Sequence, residues 1–324
     1  MEANMASIEN IKNTKNGFEF SCELRNVPVT FVNAIRRTVI SGIPTVVVRD
    51  VNILENSTQL PHEMLKHRME MLPINVLPDD ITTIRDAKLE LRVLQNDKDR
   101  ILTTDDFVVE TGRETILMKD RDLNTPIIFV KIRPSEKIHV RASLGVETSN
   151  ASQVCNVATS WKVDKELAEK QKKTFVEQGG DPKAFDNFYI QKSYYKNENG
   201  RPNWFELTVE SIGVMKSKDI MKLAIGILRK KLNDYMKEAL ENIKREQDSN
   251  SYSITLEQGG HTLGALLQEV IYNDKNINFV SYDISHPLRN TMILRFNTSK
   301  SPESILRTAR ETIEEYCAVV EKGL

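Results

Sequence analysis

Cysteine is scarce. Cys22, Cys155 and Cys317 are the only three in 324 residues, far apart and odd in number. That argues against a disulfide framework and against a cysteine-rich zinc site. A basic surplus is also missing, since 45 Lys and Arg face 46 Asp and Glu for a net charge of −1. Proteins that grip nucleic acid through its phosphates usually carry such a surplus, so a dominant DNA-binding role is not expected, although a local patch could hide in the average. No stretch approaches the roughly 20 apolar residues of a membrane helix. The start, Met1-Glu2-Ala3-Asn4, has no basic segment leading into an apolar run and does not read as a signal peptide. The expectation is a soluble intracellular protein.

Catalytic signatures are equally thin. His62-Glu63-Met64-Leu65-Lys66-His67 superficially resembles a zinc-protease helix. That motif needs histidines four apart on one face; five apart puts them about 140° around a helix, so they cannot share one ion. Gly179-Gly180 and Gly259-Gly260 lack the Lys-Ser/Thr of a phosphate loop. With five histidines in the chain, no nucleophile–base set stands out, and no metal-binding aspartate cluster is evident. No metal and no cofactor are expected.

What is present is one pattern, twice. Phe18, Phe20, Cys22 and Leu24 alternate with polar residues, as in a half-buried strand. Asn26-Val27-Pro28 breaks the run, and Thr30 can cap a helix to about Ile40. Ser41-Gly42-Ile43-Pro44 stops it. Far downstream, Tyr252, Ile254 and Leu256 alternate in the same way, Gly259-Gly260 breaks, and Thr262 can cap a helix over 263–272. The offset of 232 residues that separates Phe20 from Tyr252 also relates Phe31 to Leu263 and Ile35 to Leu267. Each copy continues with strands (Trp204–Ile212; Asn276–Ile284 and Met292–Phe296) and a long helix. The first long helix is expected over Ser217–Arg245, with Ile220, Ala224, Ile227, Leu228, Leu232, Tyr235, Ala239 and Ile243 on its stripe. The second starts at Ser301-Pro302-Glu303 and carries Ile305, Ala309, Ile313, Tyr316 and Val320. Glu246–Ser251 reads as a polar linker.

Between these pieces the texture changes. A short helix over 62–70 and strand-like runs at 87–94, 107–110 and 126–132 precede a charged stretch, 164–183, which reads as a solvated tail. The expected fold is α+β: two dimerisation-type domains in one chain forming an intramolecular pseudo-dimer, the first interrupted by a mainly β insertion domain. The expected bounds are 16–46 with 186–248 for the first, 47–185 for the insertion and 249–324 for the last. Pattern alone also admits two unrelated α+β domains.

On a wheel of about 100° per residue, Phe31, Val32, Ile35 and Val39 fall within about one quadrant. This is the expected buried stripe. Its counterpart is Leu263, Leu266, Leu267, Val270 and Ile271. Asn33, Arg37 and Ile40 fall nearly opposite, with Arg36 at the border; Ala265 and Glu269 take the places of Asn33 and Arg37. A solvated helix face is the plain reading of Arg36-Arg37. The sharper one is a docking surface made of Asn33, Arg36, Arg37 and Ile40, with Glu269 on the second helix addressing a different partner.

Asn33-Ala34-Ile35-Arg36-Arg37 followed by Ile43-Pro44-Thr45 resembles the first helix and strand shared by the archaeal RNA polymerase D subunit, the third-largest subunit of RNA polymerase II and the bacterial alpha subunit. Glu63–Arg68 with Leu72-Pro73-Ile74, and Val209-Glu210-Ser211-Ile212-Gly213, extend that resemblance. Gly260-His261-Thr262-Leu263-Gly264 with Leu266-Leu267, then Phe279–Tyr282 and His286-Pro287-Leu288, resembles the archaeal L-subunit signature. Together these cover nearly the whole chain from about residue 16. The resemblance implies a non-catalytic assembly platform of a multisubunit DNA-directed RNA polymerase, with D-like and L-like partners fused end to end. It implies that Phe31, Ile35, Val39, Leu263, Leu266, Leu267 and Val270 pair the two halves. It also implies that the two largest subunits and other small subunits are partners, with DNA reached only through the complex. The fused form resembles that of some large DNA viruses of eukaryotes, which would place it in host cytoplasm or nucleus and leaves packaging in the virion open. A stand-alone dimerising adaptor on the same fold is the alternative. Two departures bear on detail: many relatives carry a cysteine cluster in the insertion where this chain has only Cys155, and the L-like signature usually has Asn where this chain has Ala265.

Overall fold

The computed structural model describes residues 5–110, 115–246, 250–257, 260–286 and 288–324. Gln247–Ser249 of the expected linker, Gly259 and Pro287 therefore lie outside the described residues.

In chain order, β1 (Ser7–Asn13), β2 (Glu19–Arg25) and α1 (Val29–Ser41) come first. A mixed region follows: β3 (Thr45–Asn56), α2 (His62–Glu70), α3 (Ile81–Asp86), β4 (Lys88–Val93), β5 (Arg100–Thr103), β6 (Val108–Glu110), β7 (Ile128–Ile132) and β8 (Ile138–Glu147). Then come β9 (Cys155–Trp161), α4 (Lys165–Glu177), the single turn α5 (Pro182–Ala184), β10 (Trp204–Ser211) and α6 (Ser217–Glu241). The chain closes with β11 (Ile243–Arg245), β12 (Ser251–Leu256), α7 (His261–Tyr272), β13 (Ile277–His286), β14 (Arg289–Thr298) and α8 (Pro302–Lys322). The content is α+β.

Two four-stranded antiparallel sheets share one plan. The first has the order β1-β2-β10-β9 and the second β11-β12-β14-β13. In each, a short hairpin strand flanks the strand that leads into the short helix, and the last two strands reverse their chain order. The inward faces carry the alternation: Phe20, Cys22 and Leu24 on β2 and Phe205, Leu207 and Val209 on β10, against Ile254 and Leu256 on β12 and Met292, Leu294 and Phe296 on β14, all buried. α1, α6, α7 and α8 add their apolar stripes, and residues of both sheets merge into one contiguous core. The helix α7 comes so near its own sheet that a Cβ at Gly264 would lie 2.6 Å from the Tyr282 ring and 2.7 Å from Met292 Sδ.

The mixed region has its own core, built on the sheet β3-β8-β4-β6 and closed by α2 and the two-stranded antiparallel sheet β5-β7. It is fastened to the first sheet by Arg121, whose Nη1 donates to the Ser211 carbonyl at 2.6 Å and whose Nη2 lies 3.5 Å from Glu210. Gln153 Nε2 adds a bond to the Glu70 carbonyl at 2.9 Å.

Several sequence expectations shift. The span 47–185 takes in β9, but β9 pairs along its whole length with β10 in the first sheet. Cys155 therefore begins a strand of the first sheet. β1, outside the expected start at residue 16, pairs with β2 across a bulge. The long helix ends at Glu241, and Ile243–Arg245 pairs instead with Tyr252–Ile254, so Ile243 serves a strand although it keeps helical phase. The stretch 165–177 is a helix with Asp164 as N-cap, its side chain accepting from the Leu167 N–H, where a tail was expected.

Candidate functional site

The seven residues expected to join the halves, Phe31, Ile35, Val39, Leu263, Leu266, Leu267 and Val270, are all buried in the common core. Removing such side chains from water stabilises by about 1.5–3 kcal/mol each. Helices α1 and α7 pack against each other. They run antiparallel, because Thr30 at the start of α1 meets Glu269 near the end of α7, while Arg37 near the end of α1 meets Thr262 at the start of α7.

These two polar contacts revise the expected caps. Neither Thr30 nor Thr262 caps its own helix, whose N-caps are Pro28 and Gly260 without side-chain bonds. The Thr30 hydroxyl donates to Glu269 Oε2 at 2.6 Å, with the Thr30 N–H 3.4 Å from the same oxygen. The Glu269 carboxylate thus sits at the α1 N-terminus, where the helix dipole favours an anion. Its other oxygen lies 3.3 Å from Arg201 Nη1, and its side chain is only 12% exposed. Arg37 Nε donates to Thr262 Oγ1 at 2.8 Å. Glu269 was expected to face outward; geometry places it between the two units. A helix wheel gives the angle of a side chain but not which neighbour crosses at that angle.

The other proposed docking residues lie on or near the surface. Asn33 is exposed and its Oδ1 accepts from both Arg36 Nε (3.1 Å) and Nη2 (2.8 Å), so the pair folds onto itself at one-turn spacing. Arg37 is exposed, and Ile40 is partly buried against the core.

Further contacts across the units were not read from the sequence. The Phe31 and Tyr316 rings lie 5.3 Å apart. Burial, then the Glu269 charge, pushes the Tyr316 hydroxyl above its ordinary value. Arg229 of α6 reaches Glu314 (2.9 Å) and Glu321 (2.7 Å) of α8. The Tyr235 hydroxyl lies 3.3 Å from Met292 Sδ. The signal for Arg229 was faintly present, since Glu314 and Glu321 stand two turns apart on one helix face; Arg201, on an irregular loop, left none.

Reactive chemistry is sparse. The Cys22, Cys155 and Cys317 thiols are buried, and burial pushes each up to about 12, so none is a ready thiolate. Among the described residues, no group of three or more His, Cys, Asp or Glu is placed to hold a metal ion. Among them, too, no helix is long and apolar enough to cross a membrane.

Comparison with known proteins agrees with this architecture. A family model described as the RNA polymerase Rpb3/Rpb11 dimerisation domain matches residues 21–232, and a second of the same description matches 251–323. The chain is 30% identical over 184 residues to DNA-directed RNA polymerase subunit Rpo3 of Methanocaldococcus jannaschii, covering 56% of this chain and 86% of that one. It is 26% identical over 252 residues to subunit Rpo3 of Pyrococcus furiosus, covering 66% and 90%. A third relative is the RNA polymerases I and III subunit rpac1 of Dictyostelium discoideum, 26% identical over 275 residues and covering 66% and 77%.

Proposed function

The chain belongs to the RNA polymerase Rpb3/Rpb11 dimerisation-domain family, and from that premise we propose that it is a non-catalytic assembly subunit of a multisubunit DNA-directed RNA polymerase. One observation carries the reading. Two units of equal sheet order, each matched by a dimerisation model, bury their short helices in one core. Such an arrangement is what two separate partners would form on pairing, here contained in one chain as a pseudo-dimer of a D-like and an L-like half. On this reading the first half comprises β1, β2, α1, β9, β10 and α6, and the segment between α1 and β9 is an insertion. β11 to α8 form the second half, as β11 stands where β1 does in the first sheet.

The platform presents its partners, the two large catalytic subunits and other small ones, with Asn33, Arg36, Arg37 and the exposed edge of Ile40. Catalysis belongs to those partners, and DNA is met only through them. The protein works inside the cell without a membrane. A fused pair of this kind suits a large DNA virus of eukaryotes. The test is affinity purification of the tagged chain from its native source. Recovery of two very large polymerase subunits with promoter-independent RNA synthesis is the expected result. Recovery of the chain without them would move the reading to a stand-alone adaptor.

A further inference from the structure

The duplication offset of 232 residues maps Thr30 onto Thr262 and Arg37 onto Glu269. The two cross-contacts, Thr30 with Glu269 and Thr262 with Arg37, are therefore the same contact seen from either side of an approximate two-fold axis. One member of the repeated position is a cation and the other an anion. The two sides differ in burial as well: Glu269 is 12% exposed and held by Thr30 and Arg201, whereas Arg37 is exposed.

We infer that Glu269, with Thr30 and Arg201 as its receptor, is a selectivity device that lets the first unit accept the second and refuse a copy of itself. The inference rests on the pseudo-dimer reading above. Consider a second copy's first unit docked where the second unit now lies. The two-fold places its Arg37 where Glu269 stands. A guanidinium then faces the Thr30 hydroxyl and Arg201; Arg37 already bonds a threonine hydroxyl at a helix start, at Thr262, so the refusal rests on Arg201, the cation that holds Glu269 on the α1 side. Like charges brought together in a half-buried site oppose association strongly. The reverse pairing, second unit on second unit, puts Glu269 beside Thr262 at the α7 N-terminus, which suits a carboxylate. The barrier is thus one-sided and resides in the first unit. A repulsive element against the wrong partner, alongside attraction to the right one, is how specificity is commonly built.

The experiment uses the full chain with a protease site inserted within 247–249, folded first and then cut. The parent is expected to remain a one-to-one complex of its two pieces. Glu269→Arg should weaken that complex by about tenfold or more, read by sedimentation or by titration of the cut pieces. Adding Arg201→Glu should restore pairing, which also shows that Glu269→Arg did not simply fail to fold. Exchanging the charges, Arg37→Glu with Glu269→Arg, should let the cut first piece form a homodimer that the parent first piece does not form. Unchanged pairing in Glu269→Arg, no recovery with Arg201→Glu, or equal homodimer in the parent would each overturn the inference. If the cut parent instead falls into two independently folded pieces, the pseudo-dimer reading itself fails.

Discussion

The molecule closes its two cores in different ways. The mixed region, 45–147, draws its core from one contiguous stretch: Leu65, Leu89, Leu91, Ile138 and Val140 are all fully buried within it. The other core is assembled from residues as far apart as Phe20 and Val320. Neither sheet of the paired units can cover its apolar face without helices that also touch the other unit. α6 packs on α8 and reaches β12, and α8 reaches β1. A self-contained core can be lost without harm to its neighbour, while a shared core fails as a whole. For the assembly role proposed above, the shared core ties the position of one unit to that of the other.

The sharpest way to break the comparison is to place one carboxylate in each core. Leu267→Asp puts an unpaired charge between α1 and α7, where Leu267 is fully buried. The cost is several kcal/mol, a large part of a domain's stability. Global unfolding at a much lower denaturant midpoint, seen by circular dichroism, is expected, and with it, if the proposed docking holds, loss of capture of the large subunits. Leu91→Asp makes the same change in the other core. It should raise hydrogen exchange and proteolysis across 45–147 while Phe31, Leu207 and Leu267 stay protected. Equal collapse of both regions in both variants would show that the two cores are one cooperative unit.

How far these differences could be read in advance depends on range. The alternation in β2, β10 and β12 and the helical stripes of α1, α6, α7 and α8 are local signals, and the structure places those elements within a few residues of expectation. β1 was missed because Ser7–Asn13 lies largely at the surface and holds its place by pairing with β2. β11 was absorbed into the preceding helix because Ile243 continues the stripe; its strand conformation comes from β12, across the linker. β9 was assigned to the insertion because no sequence signal says which sheet an isolated strand will join. The Glu269 clasp needed the crossing of two helices 239 residues apart at the contact.

A milder probe is pH. On the outer face of the first sheet, burial works to raise the Glu23 carboxyl. Hydrogen bonds from Lys162, Asn10 and Trp204 Nε1, with the Lys162 charge, outweigh it and hold the group below its ordinary value. A depressed folded-state value contributes stability above the unfolded value, about 4.3. That contribution is lost as pH falls through the lower folded value. The parent should therefore lose stability on acidification in this window more steeply than Glu23→Gln, measured by thermal unfolding from pH 6 to about pH 3. Parallel curves for the two proteins would remove Glu23 from the acid response. Trp204 fluorescence should move with the same transition, as its indole donates to Glu23 at 2.9 Å.

The smallest effect on folding, and the one that separates folding from docking, is expected at Arg36 and Arg37. Among the described residues, Arg36 bonds within its own helix, to Asn33, and Arg37 makes an exposed bond to Thr262. Exposed polar contacts of this type contribute roughly 0–1 kcal/mol. Arg36→Ala with Arg37→Ala should leave the unfolding midpoint nearly unchanged and the two units paired. If this face receives a catalytic subunit, the same double substitution should weaken capture by a few kcal/mol, because both guanidinium groups would lose charge-assisted bonds to a desolvated partner. The measurement is pull-down of the large subunits at matched concentrations of folded parent and variant. Loss of capture with retained stability assigns the face to docking. Unchanged capture returns both arginines to a solvated face, and a parallel loss of stability would mean that the Arg37–Thr262 bond holds the units together more than its exposure implies.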